Sequence, residues 1–479
     1  MKRRSLCAVA ALGAALLVGC ADTQGIRSEA RLRDATALGL AAAIEPSLAP
    51  APDWWTALGD PALDALVARA LEGNPSLRVA AARMARADAG VALARAADAP
   101  QVGAGLELNR QQFSENYIYP PPLGGSVQSL GGLKLSGSWA LDFFGRNAGV
   151  LQAAIGQARA AEAEHDAARV LLVANVARAW IQWARLAGQR ELAERSLAQR
   201  QEMLALVGAR ARAGLDNRIE LHLNESNQAD AHTQVLALAQ QIEATRHALA
   251  ALLGEPRLPA GVAAPSLGRL RRLAVPAELQ ADWLGRRADI AAARWRVEAA
   301  RGQVQAARAE FYPNVNLAGV LGFESLGFGQ LLRGGSFGWN VGPALRLPIF
   351  EGGRLRANLK GSVADEDAAI ESYNAAVIDA MREVADQSLA LRAVAAQQAQ
   401  QAQALAGAER AWELARQRQR AGIATDLQVL AAETAVLAQR RQALELAAQG
   451  FLAQVGLAQA LGGGWQPRPE APLARVSAR

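Results

Sequence analysis

Apolar and polar positions alternate in four short stretches of the chain. In 101–109, Val102, Ala104, Leu106 and Leu108 oppose Gln101, Glu107 and Asn109; in 133–143, Leu133, Leu135, Trp139, Leu141 and Phe143 oppose Lys134, Ser136, Ser138 and Asp142. In 314–323, Val315, Leu317, Leu321 and Phe323 oppose Asn314 and Asn316; in 337–347, Phe337, Trp339, Val341, Leu345 and Leu347 oppose Asn340 and Arg346. A period of two over roughly 9 to 11 residues predicts β-strands of transmembrane length. Half-buried strands of a soluble sheet would show the same alternation. Phe113, Tyr117, Tyr119, Phe143, Phe144 and Phe350 lie near strand ends, where interfacial aromatic girdles form. Pro343 is an irregularity in the last stretch, since it cannot donate to a ladder.

Between these stretches the pattern becomes helical. Ala, Gln, Arg, Glu and Leu dominate, all strong helix formers. Long helices are predicted over 150–212 and 355–420, and Ile370, Val377, Val384 and Leu391 recur at coiled-coil spacing in the second. Each would reach roughly 90 Å at about 1.5 Å per residue, beyond the helices of ordinary domains. Shorter helices at about 75–97 and 216–254 together hold nearly as many residues as the first long one. Those at 288–310 and 423–461 match the second. Two shorter helices end to end beside a longer one describe the wall of a long tube.

The chain is written twice. Residues 74–102 lie over 287–315 at an offset of 213, with Pro100 on Pro313. Beyond the strands the offset is 208, with Arg146 on Arg354, Gly214 on Gly422 and Leu253-Gly254 on Leu461-Gly462. A tandem duplication therefore sets the domains: a first repeat at 61–260, an inter-repeat linker at 261–286, a second repeat at 287–464 and a tail at 465–479.

The N-terminus changes the picture. Lys2, Arg3 and Arg4 precede an apolar run from Leu6 to Val18, too short to span a bilayer and right for a secretory signal. The run ends in "LVGC", which resembles a bacterial lipobox. This predicts a signal peptide at 1–19, a lipidated linker at 20–60 and an N-terminal lipid on Cys20. Ala21 follows, rather than the aspartate associated with inner-membrane retention. Cys7, the other cysteine, leaves with the signal, so no internal disulfide is expected.

The net charge of +6 is carried by arginines dispersed among acidic residues, which argues against a nucleic-acid partner. His165, His222, His232 and His247 stand singly, with no close metal-ligand pair, so neither an enzyme nor a metal cofactor is expected. The glycines of 322–335 lie between two strands and read as a loop. Four strands cannot close a barrel, and hydrocarbon tolerates no open sheet edge, so transmembrane strands would require further copies of the chain. Any number of copies that brings the strands to eight or more would close such a barrel.

Over the mature chain, "DWWTALGDPALDALVARALEGNPSLRVA", "WALDFFGR", "LPIFEGGR", "RAGIATDLQVLAAE" and "ALGGGW" resemble the TolC-like outer-membrane efflux factors, in the OprM/NodT lipoprotein branch. The resemblance implies a mainly α fold with a transmembrane β part, namely a long-helix α-barrel and four strands per chain, completing a 12-stranded β-barrel as a homotrimer. It implies an exit duct in the outer membrane, reaching into the periplasm. A periplasmic membrane-fusion adaptor and an inner-membrane pump, usually of the resistance-nodulation-division type, would be its partners, with outer-membrane lipid around the barrel.

In that frame Gly145, Gly352 and Gly353 are the strand–helix joints, and Gly214 and Gly422 the helix reversals. Arg218, Glu220, Arg420, Asp426 and Gln428 fall at the family's periplasmic aperture. Gln419 and Ala431 stand where the family often has tyrosine and aspartate, which leaves the gate contacts open. A type I protein-secretion or metal-efflux duct is the alternative reading. A lipid-anchored periplasmic coiled-coil scaffold, which leaves the strands unexplained, is a more remote one.

Overall fold

The structure, a computed structural model, describes residues 23–33, 50–215, 217–273 and 285–466. Its elements are α1 (Pro61–Gly73), α2 (Pro75–Ala96), β1 (Gln101–Gln112), β2 (Val127–Leu141), α3 (Arg146–Arg212), α4 (Arg218–Leu253), α5 (Ala288–Ala309), β3 (Asn314–Leu326), β4 (Phe337–Arg346), α6 (Arg354–Arg420) and α7 (Asp426–Ala460). The two long helices have 67 residues each. The chain divides into two compact units.

The first unit comprises Arg83–Ala161 and Ala293–Tyr373, with the described N-terminal residues up to Leu32. It contains one antiparallel sheet in the order β1-β2-β3-β4. The register sorts side chains by face. Leu106, Leu133, Phe323 and Phe337 share a cross-strand row, as do Ala104, Leu135, Leu321 and Trp339. Further rows join Trp139, Leu317 and Pro343, then Leu141, Val315 and Leu345. Successive residues point to opposite faces, so all of these occupy one face. Rows on the other face join Gly103, Ser136, Val320 and Asn340, then Gly105, Lys134, Gly322 and Gly338. Pro343 sits on β4, an edge of this four-stranded sheet, where prolines are tolerated.

The strands differ in extent from the alternation. β2 begins at Val127, because the "VQSLGG" stretch pairs with β1 although it lacks alternating side chains. Gly131 is small for a reason: a Cβ there would come within 3.2 Å of Leu331. β2 ends at Leu141, and the Asp142 carboxylate instead accepts a hydrogen bond from the Ala148 amide (2.8 Å) in the first turn of α3. That helix therefore starts at Arg146, ahead of the expected residue 150. In the same unit, Ile26 packs among Val304, Ala307 and Phe311 at the end of α5 and Leu355, Leu359 and Val363 at the start of α6.

The second unit comprises Arg33–Ala82, Glu162–Ala292 and Asn374–Arg479. Its core gathers Trp180, Trp183 and Leu186 of α3, Leu249 and Leu253 of α4, and Phe451 and Val455 of α7. Trp54, Leu58 and α1 cap this core, features that the sequence pattern did not isolate. The Asp60 side chain starts α1 by accepting from the Ala62 amide (3.0 Å), and its second oxygen accepts from the Trp180 indole (2.9 Å). One residue thus caps a helix and orients a core tryptophan.

Candidate functional site

Two places hold the residues singled out in the sequence, one in each unit. The first is where strands become long helices. Gly145, Gly352 and Gly353 all adopt left-handed backbone (φ 78°, 59° and 86°), a conformation that costs glycine nothing and other residues a good deal. Arg146 and Arg354 begin α3 and α6, and both approach Glu310 (3.9 and 3.8 Å). Glu310 also accepts from the Asn358 amide (3.2 Å), while Arg354 bonds Glu351 (2.9 Å). One carboxylate therefore joins the starts of both repeats' long helices. Phe144 and Tyr312 stack at 5.0 Å beside it. Sequence reasoning missed Glu310; the duplication gave no signal, since Ala97 holds the equivalent place in the first copy.

On the sheet's polar face Glu107, Gly132 and Glu324 form one row, and Lys134 stands in the adjacent row of glycines. Lys134 forms an ion pair with Glu324, which links a strand of the first repeat to one of the second.

The second place is where the long helices reverse. Gly214 and Gly422 are left-handed (φ 74° and 72°). The Gly214 amide donates to the Ala211 carbonyl and the Leu215 amide to the Arg210 carbonyl (3.1 and 2.9 Å); Gly422 and Ile423 repeat this with Gln419 and Arg418 (2.9 Å each). Both are Schellman caps, which satisfy the last carbonyls of a helix. The return helices begin at Arg218 and Asp426, slightly later than the pattern predicts, because Ile423 belongs to the preceding cap. The Asn217 side chain accepts from the Glu220 amide (3.0 Å), and the Gln428 side chain accepts from the Thr425 amide (3.2 Å).

The gate candidates are thereby distributed. Gln428 is engaged in a helix cap. Asp426 accepts from the Gln419 side chain (2.6 Å), so the residue standing in the tyrosine position is a local partner of the acid. Among the described residues, no ion pair joins Arg218 or Arg420 to Glu220 or Asp426 within one chain. Leu215 and Ile423 are both 68% exposed at the reversals.

Cys20 lies outside the described residues. Among the described residues, no group of three His, Cys, Asp or Glu side chains could hold a metal ion, and no helix is long and apolar enough to cross a membrane.

Comparison with known proteins places this geometry. The model of the outer membrane efflux protein family matches residues 66–255 and 279–463. The chain is 35% identical over 365 residues to the fusaric acid resistance protein FusA of Burkholderia cepacia, covering 74% of this chain and 68% of FusA. It is 31% identical over 431 residues to the multidrug resistance outer membrane protein MdtP of Escherichia coli (strain K12), covering 88% of each. Among solved structures, the outer membrane protein VceC of Vibrio cholerae superposes with a TM-score of 0.79 at 33% identity, over 87% of this chain and 100% of VceC. The outer-membrane channel OprN also gives 0.79, at 28% identity, over 93% of this chain and 98% of OprN.

Proposed function

Since this chain belongs to the outer membrane efflux protein family and is an outer-membrane efflux channel rather than an enzyme, we propose that three copies close one 12-stranded barrel. The duct passes small molecules from an inner-membrane pump and a periplasmic adaptor to the cell exterior. The observation that carries this reading is the register of the sheet. The rows from Leu106–Phe337 to Leu141–Leu345 make one face apolar, the other carries mostly glycine, serine, asparagine and charged residues with a few apolar ones such as Val320, and β1 and β4 are open edges. An apolar face suits lipid and a polar one suits a water-filled lumen. Edges in hydrocarbon must be paired, so each β1 meets the β4 of another copy.

In this reading Gly145, Gly352 and Gly353 let barrel strands turn into tunnel helices. Gly214 and Gly422 reverse those helices at the periplasmic aperture, where Arg218, Glu220, Arg420, Asp426 and Gln428 stand. Cys20 carries the N-terminal lipid, and the pump is of the resistance-nodulation-division type. Drug-like cargo is supported by the names of FusA and MdtP, which are resistance proteins.

The test is complementation in a Gram-negative host lacking its efflux ducts, with the adaptor and pump encoded beside this gene supplied together. Restored export of a fluorescent drug analogue, lost when the duct is omitted, is the expected result. Unchanged accumulation with correctly localised duct, adaptor and pump would overturn the assignment.

A further inference from the structure

The strand register sorts charge as well as polarity. Helices adjoin the sheet at one end only, by Gln101, Leu141, Asn314 and Arg346, and the opposite end carries the connections 113–126 and 327–336. Glu107, Lys134, Glu324 and Arg346 lie on the polar face. Among the described strand residues, Arg110 alone is charged on the apolar face. It is in register with Ser129, one row beyond Leu108, Gly131 and Ser325. It therefore stands at the connection end of a face otherwise rich in leucine and aromatic side chains.

The β3–β4 connection folds onto this same face. Leu331 is buried over Gly131, where a Cβ would lie 3.2 Å from it. The Gly327 amide donates to the carbonyl of Ser129, the register partner of Arg110 (2.7 Å). The Ser325 hydroxyl donates to the Gly327 carbonyl (3.0 Å) and the Ser336 hydroxyl to the Gln330 carbonyl (2.9 Å). These bonds fix the connection, so the side chains it displays are held in place beforehand. They are Phe328 (49% exposed), Leu332 (72% exposed) and the exposed Arg333. Neither Arg110 nor Arg333 has a side-chain hydrogen bond or ion pair among the described residues. The strand carboxylates Glu107 and Glu324 point to the opposite face, where Lys134 pairs with Glu324.

Guanidinium groups without an acid, on a face turned to hydrocarbon and beside uncovered apolar side chains, are costly unless an anion meets them. An amphiphile satisfies both halves of the patch at once. Arginine suits phosphate in particular, because its planar fork donates two parallel bonds and is weakly hydrated. We propose that this patch binds a phosphate-bearing lipid of the outer leaflet, with Arg110 and Arg333 on the headgroup phosphates and Phe328 and Leu332 against the acyl chains. The occupant is a phosphorylated glycolipid of the lipid A class, since the apolar half of the patch offers nothing to a free phosphate ion. Each copy carries one such site. The inference rests on the reading that the apolar face meets lipid and the connection end faces outward, and adds the lipid class and its residues.

The test uses the full-length protein, freed of endogenous lipid and held in phosphatidylcholine nanodiscs. Lipid A carrying its phosphates, dephosphorylated lipid A and inorganic phosphate are titrated separately. Native mass spectrometry reads binding, and thermal unfolding reads the stabilisation that binding confers. Phosphorylated lipid A is expected to bind and stabilise, and the other two to do neither. Arg110→Gln and Arg333→Gln should each weaken that binding about fivefold, and together about thirtyfold. Both side chains are exposed, so the variants should assemble and conduct as the unaltered protein does. Lys134→Gln, on the polar face, should leave lipid binding unchanged. Equal affinity in the double variant, in a particle that still conducts, would overturn the lipid site and leave the channel standing. Equal stabilisation by inorganic phosphate would mean an adventitious ion only and overturn it as well. Binding lost in Lys134→Gln but kept in the arginine variants would reverse the faces, and the barrel reading would fall with the inference.

Discussion

Gly149 of α3 and Gly302 of α5 face each other at backbone contact. A Cβ on Gly302 would lie 2.5 Å from the Ala153 amide nitrogen and 2.7 Å from the Gly149 carbonyl oxygen; one on Gly149 would lie 2.8 Å from the Gly302 carbonyl. Neither backbone can yield without moving a helix. Gly302→Ala is therefore expected to destabilise the first unit by about 1 to 3 kcal/mol, the usual range for overpacking. Gly361→Ala on α6, where nothing lies within 4 Å, should be neutral or slightly stabilising, because alanine is the better helix former. Thermal unfolding in detergent checks both, and equal effects would contradict the close approach.

A second expectation concerns Arg287, which is buried and donates to Asp289 (2.7 Å), Glu383 (2.9 Å) and the Ala460 carbonyl (3.0 Å). Arg287→Met should cost about 2 kcal/mol, less than the 3 to 5 of breaking a fully buried pair, because both acids are partly exposed. Burial raises the Asp289 pKa, but the bonds from Arg287 outweigh it and hold the carboxyl below its ordinary value. A depressed carboxyl stabilises the fold above its unfolded pKa, near 3.9, and that contribution disappears as pH falls through the folded value. Acid unfolding below about pH 4 should accordingly be shallower in Asp289→Asn than in the unaltered protein. Identical acid limbs would show that the pair contributes nothing.

The two faces of the sheet give opposite predictions. Leu135→Arg would place a charge toward lipid, at about 2 to 4 kcal/mol near the midplane, and should reduce membrane assembly; Trp139→Arg, near the end of β2, would also remove the indole bond to the Asp98 carbonyl (2.8 Å) and should do the same. Ser136→Arg or Ser138→Arg should assemble normally and change conductance. Heat-modifiable migration on gels reads the first outcome and bilayer recording the second. The same assembly defect in both sets would reverse or abolish the assignment of faces.

At the aperture, Glu220→Gln with Asp426→Asn is expected to raise single-channel conductance and admit a bulky antibiotic without the pump. Charge-assisted hydrogen bonds are the stronger ones available to pin converging helix ends, and the Gln419 bond to Asp426 is one of them. Unchanged conductance in an assembled trimer would transfer the gate to apolar contacts around Leu215, Ile219, Ile423 and Leu427.

The sequence carried the architecture further than the contacts. Strand alternation, helix lengths and the shifted self-similarity were legible because period and duplication are written residue by residue. The left-handed glycines at 145, 214, 352, 353 and 422 were legible because a sharp reversal needs them. Strand ends were less so, because "VQSLGG" pairs through its backbone and displays no alternating side chains. Glu310 was invisible, since its role depends on two arginines that are remote in sequence. At the aperture, the repeat offset aligns Gln428 with Glu220, and nothing in that alignment shows that the Gln428 side chain also caps α7.

Whether copies of this chain close a conducting pore is read by single-channel recording of the purified protein in planar bilayers, paired with its mass in detergent. The expected result is a three-chain particle that opens discrete, long-lived conductance steps, with Ser136→Arg altering their size. A folded, membrane-extracted protein of three chains that never conducts, even with the aperture acids neutralised, would contradict it.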